Sequence, residues 1–227
     1  MIPLRDSTRS RTFPVVTVTL IVLNVLIFFR QTTLGQSALG MFISQYALIP
    51  ARFTEGLQQL SLAGLFHPQL VTSTFLHGSW VHLIFNMLYL WIFGDNIEDR
   101  LGRGRYLLLY LLTGITGNLA HIMTDPHSPI PLIGASGAVA GILGAYILAF
   151  PRARITSVIF VLFFFTIRDI PAFYFLLFWF LLQILNGITS LGIMGTTVAW
   201  WAHIGGFLSG MLLLYLFKKR ADFNPVA

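Results

Sequence analysis

The 227-residue sequence contains no cysteine and little charge, since only 10% of its residues are Asp, Glu, Lys or Arg. Without cysteine the chain has no disulfide framework, no thiolate nucleophile and no cysteine metal site. It also lacks the His-Glu-x-x-His pattern in which two histidines on one helix face bind zinc. The absence of cysteine excludes thiol chemistry, and the remaining pattern predicts no bound metal and no cofactor.

Hydrophobic residues, by contrast, make up 56% of the chain, and its mean hydropathy is +0.79. Such values are typical of a polytopic membrane protein, so the lipid bilayer is a predicted partner. The formal net charge is +6, but the basic residues lie in short clusters at the ends of apolar segments. That placement sets the orientation of a protein in a membrane, and we predict no nucleic-acid binding.

Six apolar segments approach the length of about 20 residues that a helix needs to cross the hydrocarbon layer. They fall at about 14–30, 80–98, 106–124, 134–150, 171–188 and 199–217. The prediction is an all-α protein with six transmembrane helices in a single membrane domain over residues 1–227. No small-residue cleavage site follows Phe29, so the first segment is predicted to be an uncleaved span.

Basic residues indicate which ends of these segments face the cytoplasm. Those on the predicted inner side are Arg5, Arg9, Arg11, Arg100, Arg103, Arg105, Arg152, Arg154, Lys218, Lys219 and Arg220. The opposite side receives only Arg30 and Arg52. We therefore predict a multi-pass protein of the cell membrane with both termini in the cytoplasm.

Two stretches do not fit a simple series of spans. Residues 31–79 form a long outer loop whose apolar clusters are too short to cross a bilayer, and we expect short amphipathic segments in the interface. Residues 155–185 are too long for one span, and Arg168-Asp169-Ile170-Pro171 interrupts them. Residues 155–167 are predicted to be re-entrant or interfacial, with the fifth helix beginning near Pro171.

Polar residues occur at one depth in three of the predicted spans. Ser136 opens the fourth span among small residues, and His203 lies about one turn into the sixth. Polar groups at this depth cost free energy unless they are paired or face a water-filled cavity, so we expect a shared site. Gly137-xxx-Gly141 and Gly206-xxx-Gly210 would let the two helices approach closely enough for a serine–histidine hydrogen bond.

His82 and Asn86 open the second span and are spaced i, i+4, which places them on one helix face. A serine nucleophile with a histidine base needs donors for the negative charge that develops on the attacked carbonyl oxygen. We assign this role to Asn86, to His82 and to the backbone N–H of Ser136. Gly134 and Gly137 are predicted to let a substrate backbone approach the serine, although packing alone would also explain them.

Together, Gly134-Ala135-Ser136-Gly137, His82-xxx-Asn86 and Ala202-His203-xx-Gly206-xxx-Gly210 resemble the rhomboid family of intramembrane serine proteases. Gly94-xxx-Glu98-xxx-Gly102 resembles a structural motif of the same family. The resemblance implies a six-helix bundle and a catalytic dyad of Ser136 and His203. It also implies that the active site opens to the outer side and cleaves single-span membrane proteins near their outer ends.

One departure concerns the histidine. Some family members carry an aromatic residue one turn after the serine, where this chain has Ala140, so another group must support the His203 ring. Two alternatives remain at this point. One is a catalytically inactive rhomboid-like protein that binds transmembrane helices, and the other is a small transporter or channel that uses the same polar residues as a relay.

Overall fold

The computed structural model describes residues 1–59, 67–161, 164–191 and 198–217, which are mainly helical. Predictions for the apolar residues at 60–66 and for the basic cluster at 218–220 fall outside these ranges. The helices are α1 (Val15–Thr32), α2 (Gln36–Tyr46), α3 (Pro50–Gln58), α4 (Gln69–Thr72), α5 (Trp80–Leu101), α6 (Arg103–Ile122), α7 (Ser136–Ala149), α8 (Ala172–Thr189) and α9 (Trp200–Phe217).

Long helices occupy all six predicted apolar segments, with ends that differ from the prediction by a few residues. By length and apolar composition, α1, α8 and α9 could each cross a membrane. A fourth span is added if residues 69–75, bent by 98° relative to α5, are counted with α5 as one broken span. The chain is therefore a mainly helical, multi-pass membrane protein with three to four apolar spans among the described residues.

The shortest of the six, α7, lies at the centre of the bundle. Every residue from Gly137 to Ile147 is buried. Small residues make this burial achievable, because an added Cβ at Gly210 of α9 would collide with the carbonyl oxygen of Gly141, and one at Gly206 with that of Gly137. The predicted close approach of these two helices through their glycines is confirmed, and their backbones touch directly.

The all-α prediction was wrong at residues 155–161 and 164–167, which belong to an antiparallel sheet, while residues 162 and 163 lie outside the described ranges. Its strands are β1 (Ile2–Asp6), β2 (Arg154–Val161) and β3 (Phe164–Pro171), in the order β1-β2-β3. The β-branched and aromatic residues of this segment favour extended pairing, and the N-terminal strand adds a third partner. The fifth long helix begins at Ala172, directly after Pro171, as predicted.

Side chains connect this sheet to the C-terminal ends of two helices. Tyr146 of α7 donates a hydrogen bond to the carboxylate of Asp6 in β1. The Asn96 amide of α5 donates to the same carboxylate at 3.0 Å. The sheet is thereby attached to the helix that begins with Ser136 and to the helix that carries His82 and Asn86.

At the other end of the bundle, the segment between α2 and α3 contacts the residues that precede α7. Leu48 and Leu132 exchange two backbone hydrogen bonds of 3.2 and 2.7 Å. Leu48 also packs with Phe53 and Ile122 in a small apolar cluster. The segment between α2 and α3 thus fixes the chain four residues before Ser136.

Candidate active site

A cavity of about 1160 Å³ opens where α5, α7 and α9 begin. It contains the four polar residues that the sequence predicted to share a site. Its polar and aromatic lining includes His82, Asn86, His121, Ser136, Trp179, Gln183, Trp200 and His203.

Ser136 is the first residue of α7 and is only partly buried. The backbone N–H groups of a helix's first turn have no partner within the helix, and they favour a negative charge placed beside them. A serine at this position has its hydroxyl at the cavity and donors close by. In this arrangement the hydroxyl could attack a carbonyl group, and the nearby N–H donors could stabilise the resulting oxyanion.

Gly134 lies immediately before this helix with a φ of +131°, a backbone conformation that residues with a side chain rarely adopt. A Cβ built there would lie 2.8 Å from His82 Nε2 and 3.7 Å from Ser136 Oγ. Its backbone nitrogen donates to the carbonyl of Ser73 at 3.0 Å. Gly134 therefore occupies the narrow space between the His82 ring and the serine hydroxyl, where a side chain would not fit.

Gly137 has different surroundings. It is buried, and a Cβ built on it would lie 3.5 Å from the carbonyl oxygen of Ala202, the neighbour of His203 in α9. The residues next to Ser136 and His203 in sequence are thus in contact across the helix pair. This contact brings the serine and the histidine to the same level of the bundle.

His82 and Asn86 lie on the first turns of α5, whose start is fixed by Ser79. The Ser79 hydroxyl accepts a hydrogen bond from the backbone nitrogen of His82 at 3.2 Å. Asn86 is only 7% exposed, yet its side-chain nitrogen has no hydrogen-bond partner among the described residues. A buried amide without a partner is costly, and one that borders a cavity is free to donate to a ligand.

His203 lies in the first turn of α9, and its ring contacts residues from two helices. Its Nδ1 is 2.9 Å from Oε1 of Gln183 in α8. The rings of Trp179 and Trp200 flank the imidazole, each with its centroid 6.0 Å away. These contacts from α8 and α9 support the His203 ring in a chain that has Ala140 one turn after Ser136.

Gln183 and His121, which were not predicted from the sequence as site residues, also line the cavity. His121 lies in the last turn of α6, and its Nδ1 is buried without a partner among the described residues. Gln183 carried a readable signal, because a lone polar side chain in a long apolar segment costs free energy unless another group binds it. Only the folded chain reveals which group that is.

The helices and this cavity define a helical membrane protein with a polar cavity lined by Ser136 and His203. The comparison with known families identifies its class. Residues 67–220 match the model of the Rhomboid domain, and the chain belongs to the rhomboid family. That match includes all the cavity residues named above.

Individual relatives carry related names. Over 77 residues, or 34% of the chain, it is 48% identical to the Rhomboid protease GluP of Bacillus subtilis, covering 15% of that protein. Over 162 residues, or 66% of the chain, it is 32% identical to the chloroplastic Rhomboid-like protein 11 of Arabidopsis thaliana, covering 52% of it. The mitochondrial Rhomboid protein 1 of Saccharomyces cerevisiae is 29% identical over 157 residues, with 42% of its length covered. The chain thus spans about half or less of the length of these relatives.

Proposed function

We propose that this protein is an intramembrane serine endopeptidase in which Ser136 and His203 form the catalytic dyad. The observation that carries the proposal is the shared cavity, which holds both residues together with the Asn86 side-chain nitrogen, a donor with no hydrogen-bond partner in the part of the chain that the structure describes. Membership of a family whose relatives are named rhomboid proteases supports the same reaction class.

The proposed reaction is acyl transfer to serine followed by hydrolysis. His203 takes the proton from Ser136 as Oγ attacks a peptide carbonyl, and it then gives that proton to the leaving amine. Water enters as the second substrate and releases the acyl group by the same steps. The Asn86 amide, the His82 ring and the Ser136 backbone N–H stabilise the oxyanion at each stage.

The proposed topology has six membrane-crossing helices, α1 and α5 to α9, within a single domain over residues 1–227. The cavity lies where α5, α7 and α9 begin, and the arginines at 100, 103, 105, 152 and 154 lie at the opposite ends of the helices. By the positive-inside rule the arginine side faces the cytoplasm, so both termini lie there and the cavity opens to the outer side of the cell membrane.

The proposed substrates are transmembrane segments of membrane proteins that enter from the outer side between α5 and α8. A helix buries its carbonyl groups in hydrogen bonds, so a segment must unwind locally before Ser136 can reach one. Substrates should therefore carry helix-weakening residues near the cleaved bond. Replacing such Gly or Pro residues by Leu should slow cleavage.

The test uses purified protein, a model membrane substrate and a serine-directed fluorophosphonate. The parent should cleave the substrate and be labelled, while Ser136→Ala should lose both properties and keep its fold. His203→Ala should also lose cleavage, and the double variant should be no worse, because the two residues act as one unit.

A matched control is Ser209→Ala, since Ser209 bonds Thr116 in α6 at 2.7 Å and belongs to the helix packing. It should retain both labelling and cleavage. Cleavage by purified Ser136→Ala would disprove the proposal. A parent that binds transmembrane helices but is neither labelled nor active would instead be an inactive rhomboid-like binding protein.

A further inference from the structure

We propose that Gln183 is the positioning residue of the dyad, holding the His203 imidazole in the tautomer that carries its proton on Nδ1. This inference rests on the proposed function, because it assigns a role relative to Ser136 and His203. Gln183 lies on α8, a different helix from either of them.

The orientation of the Gln183 amide follows from its two partners. Its Nε2 donates to the backbone carbonyl of Trp179 at 3.0 Å, and its Oε1 lies 2.9 Å from His203 Nδ1. A flipped amide would place two oxygen atoms against each other at Trp179, since a carbonyl oxygen can only accept. Oε1 must therefore face the imidazole.

The orientation of the amide then fixes the proton on the ring. Oε1 has no hydrogen to donate, so His203 Nδ1 must be the donor in this hydrogen bond. A neutral imidazole carries one N–H, which leaves Nε2 with a free lone pair. That is the nitrogen a general base needs to accept the serine proton.

A neutral amide suits this place better than a carboxylate would. Gln183 is only 6% exposed, and an ionised group at such a position costs far more free energy than an amide with both ends bonded. The amide orients the ring without adding a charge to the apolar bundle. Trp179, whose carbonyl anchors the amide, also places its ring beside His203.

The same helix supplies an internal comparison. Asn186 of α8 makes an equivalent bond to the backbone, its Nδ2 donating to the carbonyl of Leu182 at 2.8 Å, but its side chain is only partly buried. Both residues satisfy an amide against their own helix. Gln183 differs in that its oxygen reaches the histidine.

The experiment compares three variants of the full-length protein. Gln183→Met keeps the size of the side chain and removes the acceptor. Gln183→Glu keeps an acceptor, and as a carboxylic acid it reproduces both bonds by donating through its hydroxyl to Trp179. Asn186→Leu is the matched control on the same helix. For each we would measure kcat, KM, melting temperature and the ¹⁵N chemical shifts of the His203 ring.

Gln183→Met should lower kcat by about 10- to 100-fold with little change in KM, the size of effect seen when a metal-binding histidine loses the partner that orients it. Its His203 shifts should move away from the pattern of an Nδ1–H imidazole. Gln183→Glu should restore most of kcat, and Asn186→Leu should match the parent. The His203 resonances are assigned as those that are absent from the spectrum of His203→Ala.

Full kcat with unchanged ring shifts in a folded Gln183→Met protein would overturn the assignment. The assignment would also be overturned if the loss of activity in Gln183→Met merely followed a fall in melting temperature and Gln183→Glu did not restore activity. The ring shifts are measured without substrate, so they decide the role of Gln183 separately from the reaction. Cleavage by Ser136→Ala would remove the proposed function and leave the tautomer result standing.

Discussion

Glu98 of α5 and Thr17 of α1 are joined by two hydrogen bonds, in which Glu98 Oε2 accepts from the Thr17 backbone nitrogen at 2.8 Å and from its hydroxyl at 2.9 Å. Glu98 Oε1 accepts from the backbone nitrogen of Val16 at 2.9 Å. Pro14, the N-cap residue of α1, makes no capping hydrogen bond with its own side chain. A glutamate 81 positions away from Thr17 in the chain therefore takes the place of an N-cap side chain.

Glu98→Ala should lower the free energy of unfolding by about 3 kcal/mol, because it leaves buried N–H groups of α1 without an acceptor. Glu98 itself is only 2% exposed, so water cannot readily replace it. Thermal unfolding in detergent measures the effect. Asp99→Ala is the control: its bonds from Thr12 are exposed to solvent, and their loss should cost less than about 1 kcal/mol. Equal losses in the two variants would contradict this account.

Gly210→Ala should destabilise the bundle by about 3 kcal/mol or more, since its methyl group would meet the carbonyl oxygen of Gly141 and neither backbone can yield without moving a whole helix. Cleavage should fall with it, because the serine and the histidine belong to these two helices. Gly40→Ala in α2 has open space around the new methyl group and should be neutral or slightly stabilising. An active, stable Gly210→Ala protein would show that the helices can separate without harm.

Asn86→Ala should lower the rate of cleavage by about 10²- to 10³-fold, the typical cost of losing one oxyanion donor. Ser136 should still react with a fluorophosphonate, more slowly than in the parent. The alternative is that Asn86 only stabilises α5. Thermal stability and activity measured on one preparation separate the two, because a destabilised variant whose folded fraction keeps full activity would make Asn86 structural. The same conclusion would then apply to His82, since it shares that helix face.

Asp6 should make stability depend on pH in the direction opposite to an ordinary salt-bridged carboxylate. Burial raises the pKa of its carboxyl group from 3.8 to about 6, with a smaller rise from nearby Asp95, while the hydrogen bond from Tyr146 lowers it. The folded chain then holds this proton more tightly than the unfolded chain does. The contribution to stability is present near pH 4 and is lost as the pH rises through 6.

Asp6→Asn should remove this loss, so its melting temperature should fall less between pH 4 and pH 7 than that of the parent. The other carboxyl groups are common to both proteins, so their effects on the pH dependence of the melting temperature cancel in this comparison. If the melting temperatures of the two proteins change equally between pH 4 and pH 7, Asp6 does not titrate as described.

Local sequence determined the long helices and the start of α7 at Ser136, because each depends on apolar length and on a small-residue pattern within one segment. The sheet was missed for the opposite reason. Apolar β-branched runs such as residues 155–161 are ambiguous in a membrane protein, and their partner strand Ile2–Asp6 lies about 150 positions earlier in the chain. Such a pairing leaves no periodic trace in either strand.

The candidate site was predicted only to the extent that its residues carry their own signal. Ser136, His203, His82 and Asn86 are polar groups at matching depths, so the intramembrane cost of each one pointed to a shared cavity. Gln183 was equally conspicuous as a polar residue in α8. Its partner could not be read from the sequence, because the distance between Gln183 and His203 depends on how α8 packs against α9.

The contact between α7 and α9 has a further consequence for how the bilayer can influence this protein. Where Gly141 meets Gly210 and Gly137 meets Gly206, no side chain stands between the two backbones, so no rotamer change can alter their spacing. A thicker or thinner membrane changes the tilt of helices with exposed apolar faces, here α1, α8 and α9 alike. Because the buried α7 is in backbone contact with α9, a tilt of α9 moves the two helices together. Lipid composition should therefore affect substrate entry and KM more than the spacing of Ser136 and His203.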